Sequence, residues 1–396
     1  MSKHGRNQTK KKRCVGQMIL GLVLCLAVGG AGFYYFSREK AKNIQVVTTL
    51  AVAEPPLNLT HEVNKASRFE REWLPTTPLA QEMDAWITKS GMIGTALVIQ
   101  EDKIILQKGY GYADVETGRK NSWDTLFQLV SVQKGYTSVL IMQLVEQGKL
   151  QMDETIEKFY PNVPYASNVT IRELLTMKSG LFRTIAPDRV MTDEEYIDFA
   201  AKNITAAPTE KWKYSAINFT LLTGILEKVT KKSYEELFRE QFIEKNHLTS
   251  LTFFDDFVKS PLQAKDYAKK DGVDYAEVLP LNPVEYKAEL GTGNIATNVG
   301  DLYRFYQQLI AGKMISKDML KVLWTKPENS SYSGGAYQRS KYIYAHGNLG
   351  GFELTVFVSK DGKQAVILGI NQRPNDKSSI ELGKTLFSAL GFNAQA

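Results

Sequence analysis

Ser131-Val132-Gln133-Lys134 sets a hydroxyl and an amine three residues apart at the head of a strongly apolar run. Positions i and i+3 share one helical face, so the two groups can meet. A serine hydroxyl is a weak nucleophile and needs a base. A lysine can be that base once it gives up its own charge, which apolar surroundings and a helix N-terminus both favour. Amides at the same terminus can hold a developing oxyanion. Residues 136–150 supply the apolar setting through Val139, Leu140, Met142, Leu144 and Val145, with Glu146 and Lys149 alone charged. The spacing predicts a mostly buried helix over residues 131–147. Ser37-Arg38-Glu39-Lys40 repeats the spacing in a polar stretch and is a chance match.

Serine-lysine chemistry commonly recruits one more titratable group. Tyr214-Ser215-Ala216-Ile217-Asn218 offers it, at a junction between the polar residues 208–213 and an apolar helical pattern at 219–230. A phenol at such a junction can reach a neighbouring site. The four histidines, His4, His61, His247 and His346, are scattered, and no His-Glu-x-x-His set or phosphate-binding glycine loop is present. No metal and no cofactor are expected.

These groups need a frame. Residues 92–100 and 104–112 are apolar, β-prone runs split by Glu101-Asp102-Lys103. A matching pair, 354–359 and 364–370, flanks Lys360-Asp361-Gly362 near the other end, where Asp-Gly is a strong hairpin signal. Between them the patterns are helical, at 131–147, 171–177, 194–202, 219–230, 234–244 and 299–311. The expected class is α+β: an antiparallel sheet of N- and C-terminal strands, covered by helices, with a mainly helical middle region.

The chain opens with a basic tail, residues 1–14, followed by 22 uncharged residues, 15–36. As a helix these span roughly 33 Å, against a hydrocarbon core of about 30 Å. They are expected to be one transmembrane anchor, with the tail cytoplasmic and everything beyond extracellular. The six basic residues of the tail account for the whole formal charge of +6. The remainder is balanced, which gives no support for nucleic-acid binding. Both cysteines, Cys14 and Cys25, fall in this region, so the outer portion has no disulfide. Residues 37–78, with Pro55-Pro56, Pro75 and Pro78, read as a stalk, and residues 79–396 as one large domain or a domain with a helical insert.

Several ordered segments carry a resemblance from about residue 80 to 390. They are Gly109-Tyr110-Gly111-Tyr112-Ala113-Asp114, Asp124-Thr125-Leu126-Phe127 ahead of Ser131, and Ile171-Arg172-Glu173-Leu174-Leu175-Thr176-Met177-Lys178-Ser179-Gly180-Leu181. Tyr214-Ser215 with Asn218-Phe219, and Gly291-Thr292-Gly293-Asn294-Ile295-Ala296-Thr297 ahead of Asp301, complete the set. Together they resemble the serine β-lactamases, penicillin-binding proteins and their esterase relatives. The resemblance implies a β-lactamase/DD-peptidase-like fold, with Ser131 as acylated nucleophile, Lys134 as its base and Tyr214 as proton shuttle. It also implies that the Ser131 amide forms half of an oxyanion hole.

Two departures bear on substrate. Ala216 stands where the family's second motif has an asparagine whose amide contacts the substrate's acyl-amide group; Asn218 is a candidate replacement or a helix-start residue. His346-Gly347-Asn348 stands where the family has Lys-Thr/Ser-Gly, which grips a substrate carboxylate. Histidine is mostly neutral at pH 7 and glycine brings no hydroxyl. Such a site should lose substrates defined by a carboxylate. An ester of D-alanine, with a free amine and no free carboxylate, fits better. The expectation is a membrane-anchored D-alanyl esterase acting on teichoic acid, most of all lipoteichoic acid, of a Gram-positive cell. A D,D-carboxypeptidase or endopeptidase of peptidoglycan is the alternative enzyme, and a non-turnover envelope sensor the alternative of another class.

Overall fold

The computed structural model describes residues 68–207, 212–373 and 378–392. The expected tail and membrane segment, residues 1–14 and 15–36, and most of the stalk lie outside them. Among the described residues no helix is long and apolar enough to cross a membrane.

Among the described residues the domain is built on a nine-stranded sheet. Its strands are β1 (Ile93–Gln100), β2 (Lys103–Tyr110), β3 (Tyr267–Lys270), β4 (Val273–Val278), β5 (Tyr332–Ser333), β6 (Ala336–Gln338), β7 (Tyr342–Leu349), β8 (Phe352–Ser359) and β9 (Ala365–Gln372). The two expected hairpins are present, and β1 pairs antiparallel with β9, so the two ends of the domain close one sheet. β8 and β7 follow β9, and β6 and β5 finish that side. β3 joins β9 through a single parallel pair, Gln372 with Tyr267.

β1, β8 and β9 read as nearly unbroken apolar runs because both sheet faces are covered. On one face Ala96, Val98 and Leu368 pack with Met83 and Ile87 of α1 (Pro78–Ser90) and Leu386 and Phe387 of α5 (Ser379–Ala389). On the other, Leu97, Ile99, Val356 and Ile367 join a core with Val132, Tyr136 and Val139 of the helical region. Each Val, Leu, Ile, Met or Phe among them contributes about 1.5–3 kcal/mol on full burial. α1 was not anticipated. Its start is nevertheless written in the chain: Thr77 Oγ1 accepts from Ala80 N, Pro78 takes the first turn and Gly91 ends it at φ +71°.

α2 (Lys134–Glu146) runs through the middle of the domain and is buried nearly all round. α3 (Ile217–Thr230) and α4 (Val299–Ile310) also belong to this layer, with Tyr136 stacked on Phe305 at 3.7 Å between ring centroids. The pattern at 234–244 forms an α-helix only to Phe238 and widens over Arg239–Glu244. The stalk expected up to residue 78 gives way earlier. Phe69 is buried, Trp73 exchanges backbone hydrogen bonds with Gln107, and Glu72 accepts from Gly109 N and Trp123 N.

The turn between β7 and β8 rests on a buried acid. Asp266 Oδ1 accepts from Gly351 N at 2.7 Å and Oδ2 from Tyr286 O–H at 3.4 Å. Burial outweighs both bonds and pushes the carboxyl from an ordinary 3.8 to about 7. An acid that holds its proton longer in the folded chain costs the fold stability as pH rises from about 4 to 7. Asp266→Asn should abolish that loss, a few kcal/mol at about 1.4 kcal/mol per factor of ten in proton affinity. Thermal unfolding of both proteins at pH 5 and pH 8 checks this. Parallel pH profiles would remove Asp266 as the source.

Candidate active site

The chain enters the site through Phe127–Gln128, which pairs with Ala296 and Thr297, and Leu129 N donates to Ile295 O at 2.7 Å. Val130–Gln133 then winds a single tight turn into α2. Val130 has φ +43°, a region a β-branched residue avoids at a cost of about 1–3 kcal/mol. Two glycines let backbone press on this turn. A Cβ on Gly347 of β7 would lie 2.5 Å from Ser131 N and 2.6 Å from Val130 Cγ2. A Cβ on Gly335, between β5 and β6, would lie 2.3 Å from Gly135 N. Gly347 therefore lacks a hydroxyl because there is no room for a side chain.

The turn presents Ser131 half-buried, with Lys134 fully buried behind it. Lys134 Nζ donates to Ser131 Oγ at 3.0 Å and to Thr292 O at 3.1 Å. Tyr214 O–H donates to the same Ser131 Oγ at 2.8 Å, from a ring still 37% exposed at the mouth. One oxygen thus sits between an amine and a phenol, the arrangement needed to remove a proton at attack and return one to a leaving group. The carbonyl that holds Lys134 belongs to a loop stitched to the head of α2. Gln133 Oε1 accepts from Ile295 N, Gln133 Nε2 donates to Asn294 Oδ1, and Thr137 Oγ1 donates to Gly291 O.

The second oxyanion amide, open at the level of sequence, follows from strand parity. In β7, Tyr342 O accepts from Arg339 N on the β6 side and Lys341 O accepts from Lys360 N on the β8 side. The β7–β8 register runs unbroken to Leu349. Alternation then points the backbone groups of Tyr344, His346 and Asn348 toward β6, which pairs only with Ile343 and Tyr344. Asn348 N–H emerges on that open edge, one residue past the glycine that touches Ser131 N. Ser131 N–H and Asn348 N–H are the amides this geometry offers to an oxyanion.

Two expected contacts lie elsewhere. Side chains alternate along a strand, so with Gly347 facing Ser131, His346 faces the α5 side. Its Nε2 is 2.8 Å from Glu353 Oε1, which also accepts from Ser378 Oγ and Ser379 N. Burial would raise the Glu353 carboxyl, yet these bonds hold it below the ordinary glutamate value. His346 is thus a brace beneath the edge strand. Asn218 is 1% exposed: Oδ1 accepts from Ser179 Oγ at 2.5 Å and Nδ2 donates to Ser215 O at 2.8 Å. Both ends of its amide are spent on holding the turn that carries Tyr214, so it does not replace the side chain missing at Ala216.

Several supporting residues escaped the sequence reading. Trp212 Nε1 donates to Thr176 O at 2.9 Å, and the rings of Trp212 and Tyr332 flank Tyr214 at 6.4 and 5.8 Å. Burial, then the phenols of Tyr214 and Tyr337, push Tyr332 well above the ordinary tyrosine value, so this neighbour stays neutral. Thr292 was visible inside Gly291-Thr292-Gly293, but its use is of a carbonyl, which no side-chain pattern signals. Among the described residues no three His, Cys, Asp or Glu side chains gather as a metal site requires.

Comparison with known proteins places the chain in a family. The Beta-lactamase family profile matches residues 79–390. PbpX of Bacillus subtilis (strain 168), which carries a penicillin-binding-protein name, is 28% identical over 95% of this chain and 94% of its own. The Teichoic acid D-alanine hydrolase of Staphylococcus aureus (strain MRSA252) is 26% identical over 80% of this chain and 79% of its own. Among solved structures, FmtA from Staphylococcus aureus is similar in fold, with a TM-score of 0.71 and 23% identity over 85% of this chain and 96% of that one.

Two substitutions test the turn and the edge. Gly347→Ala should cost at least about 100-fold in kcat, since a single methyl must displace the Ser131 amide, and near-normal turnover would refute the close approach. Asn348→Pro removes an N–H at an open edge, where proline's fixed φ is best tolerated, and should cost about 10²–10³ in kcat. Asn348→Ala should cost far less. Equal losses in the two would assign Asn348 to its side chain instead.

Proposed function

The chain belongs to the Beta-lactamase family, and on that premise we propose that it is a serine D-alanyl esterase that removes D-alanine from teichoic acid. Oγ of Ser131 attacks the ester carbonyl carbon while its proton passes to Lys134 Nζ. Charge on the carbonyl oxygen is met by the Ser131 and Asn348 amides. The C–O bond to the polymer breaks, and the departing alkoxide takes a proton through Tyr214. Water, losing its proton along the same route, then attacks the D-alanyl-enzyme, and free D-alanine leaves as Ser131 recovers its proton. In this reading residues 15–36 anchor the protein in the cell membrane, with the site outside and near polymers carried by lipid.

The observation that carries the substrate choice is the strand wall beside Ser131. Gly347 faces the nucleophile, no side chain fits there, and His346 is turned away onto Glu353. This wall has nothing to grip a carboxylate, so a substrate defined by D-Ala-D-Ala loses its anchor. The relative named Teichoic acid D-alanine hydrolase supports the same choice. Residues 37–396 incubated with purified D-alanylated lipoteichoic acid should release free D-alanine, and Ser131→Ala should release none. Failure of a folded protein to do so, with cleavage of a D-Ala-D-Ala peptide instead, would transfer the reading to a D,D-peptidase. Stable single-turnover labelling of Ser131 would transfer it to a sensor.

A further inference from the structure

A cavity of about 230 Å³ opens where the site lacks its amide side chain, with Phe182, Arg183, Ala216, Thr220, Glu289 and Thr292 in its wall. Two of its wall segments also serve the reacting groups. Ser215 and Ala216, both in the wall, directly follow Tyr214, and Thr292 offers its carbonyl to Lys134 Nζ at 3.1 Å. Glu289 brings a carboxylate to this wall. Its Oε2 accepts from Thr292 Oγ1 at 2.5 Å, while among the described residues Oε1 has no hydrogen-bond partner and Glu289 forms no ion pair. Arg183 brings a cation, but its Nη1 already donates to Tyr196 O–H at 2.8 Å from an exposed position.

An asparagine at position 216 would reach toward an acyl-amide group. A D-alanyl ester has an ammonium at that point, which needs an anion and gains nothing from another N–H donor. Ala216 clears the space and Glu289 supplies the charge. We infer that this cavity is the subsite for the substrate's α-ammonium group, with Glu289 as the residue that selects amine-bearing acyl groups. The inference rests on the esterase reading and adds to it the group by which the acyl portion is chosen. A charge-assisted contact of this kind is among the stronger hydrogen bonds, so its loss is measurable.

The test compares two glycerol esters, D-alanyl and propionyl, which differ at the acyl α-carbon in whether it carries the amine. The wild-type protein should favour the D-alanyl ester by at least about tenfold in kcat/KM. Glu289→Gln keeps an acceptor for Thr292 and should narrow that ratio by about tenfold, with the change in KM. Ala216→Asn, which refills the mouth of the cavity, should narrow it in the same direction. A ratio untouched by Glu289→Gln, or both esters slowed equally, would make Glu289 a turn-stabilising residue and overturn the inference. A lower KM for the D-alanyl ester in that variant would show that the carboxylate does not hold the ammonium and overturn it too. A wild type that cleaves both esters without preference removes the ammonium subsite and leaves the esterase. A wild type that cleaves neither ester removes both.

Discussion

Everything at this site depends on how closely one edge strand approaches one strained turn. Val130 holds a backbone conformation that its side chain disfavours, and the turn is fixed on one side by the Leu129–Ile295 hydrogen bond. On the other side β7 leans on it at Gly347 with no side chain between. The strain is small against the burial around it, since the helix that follows is covered nearly all round. What the strain secures is direction: the Ser131 hydroxyl leaves the apolar core and meets an amine from below and a phenol from above.

The glycine therefore has a meaning different from the one its place in the motif suggests. Read as a sequence, Gly347 is a lost hydroxyl and His346 a substituted lysine. In the fold, Gly347 is a contact surface and His346 lies on the reverse of the strand, bonded to a buried glutamate. Discrimination among substrates then falls to what surrounds the wall: the missing amide at Ala216, the carboxylate of Glu289 and the aromatic rings around Tyr214. Asn218, Thr292 and Gln133 act at one remove, by fixing the segments on which the reacting groups stand.

The parts that were legible are those in which side chains report their own surroundings. Alternation and apolar runs marked β1, β2, β8 and β9, and the Ser131–Lys134 spacing marked the head of a buried helix. Tyr214 was legible as a candidate at a loop-to-helix junction, and its role came from the family resemblance of Tyr214-Ser215. What stayed hidden depends on parity or on backbone atoms. Whether His346 or Gly347 faces the nucleophile is decided by a one-residue offset that apolarity cannot set in a strand end with mixed burial. The Thr292 carbonyl and the Asn348 amide carry no side-chain signal at all. α1 was legible in its Thr77-Pro78 start and Gly91 stop, but it lay against a proline-containing stretch that read as stalk.

The pairing of β1 with β9 joins segments separated by nearly the whole domain, and β7 must lie on the Ser131 turn from more than half its length away. Contacts of such long range form late and slowly, because the loop between them must be closed before they stabilise anything. A chain still being synthesised therefore has its serine and lysine long before it has the wall that aims them. The surroundings of Ser131 are complete only when the last strands of the sheet have closed.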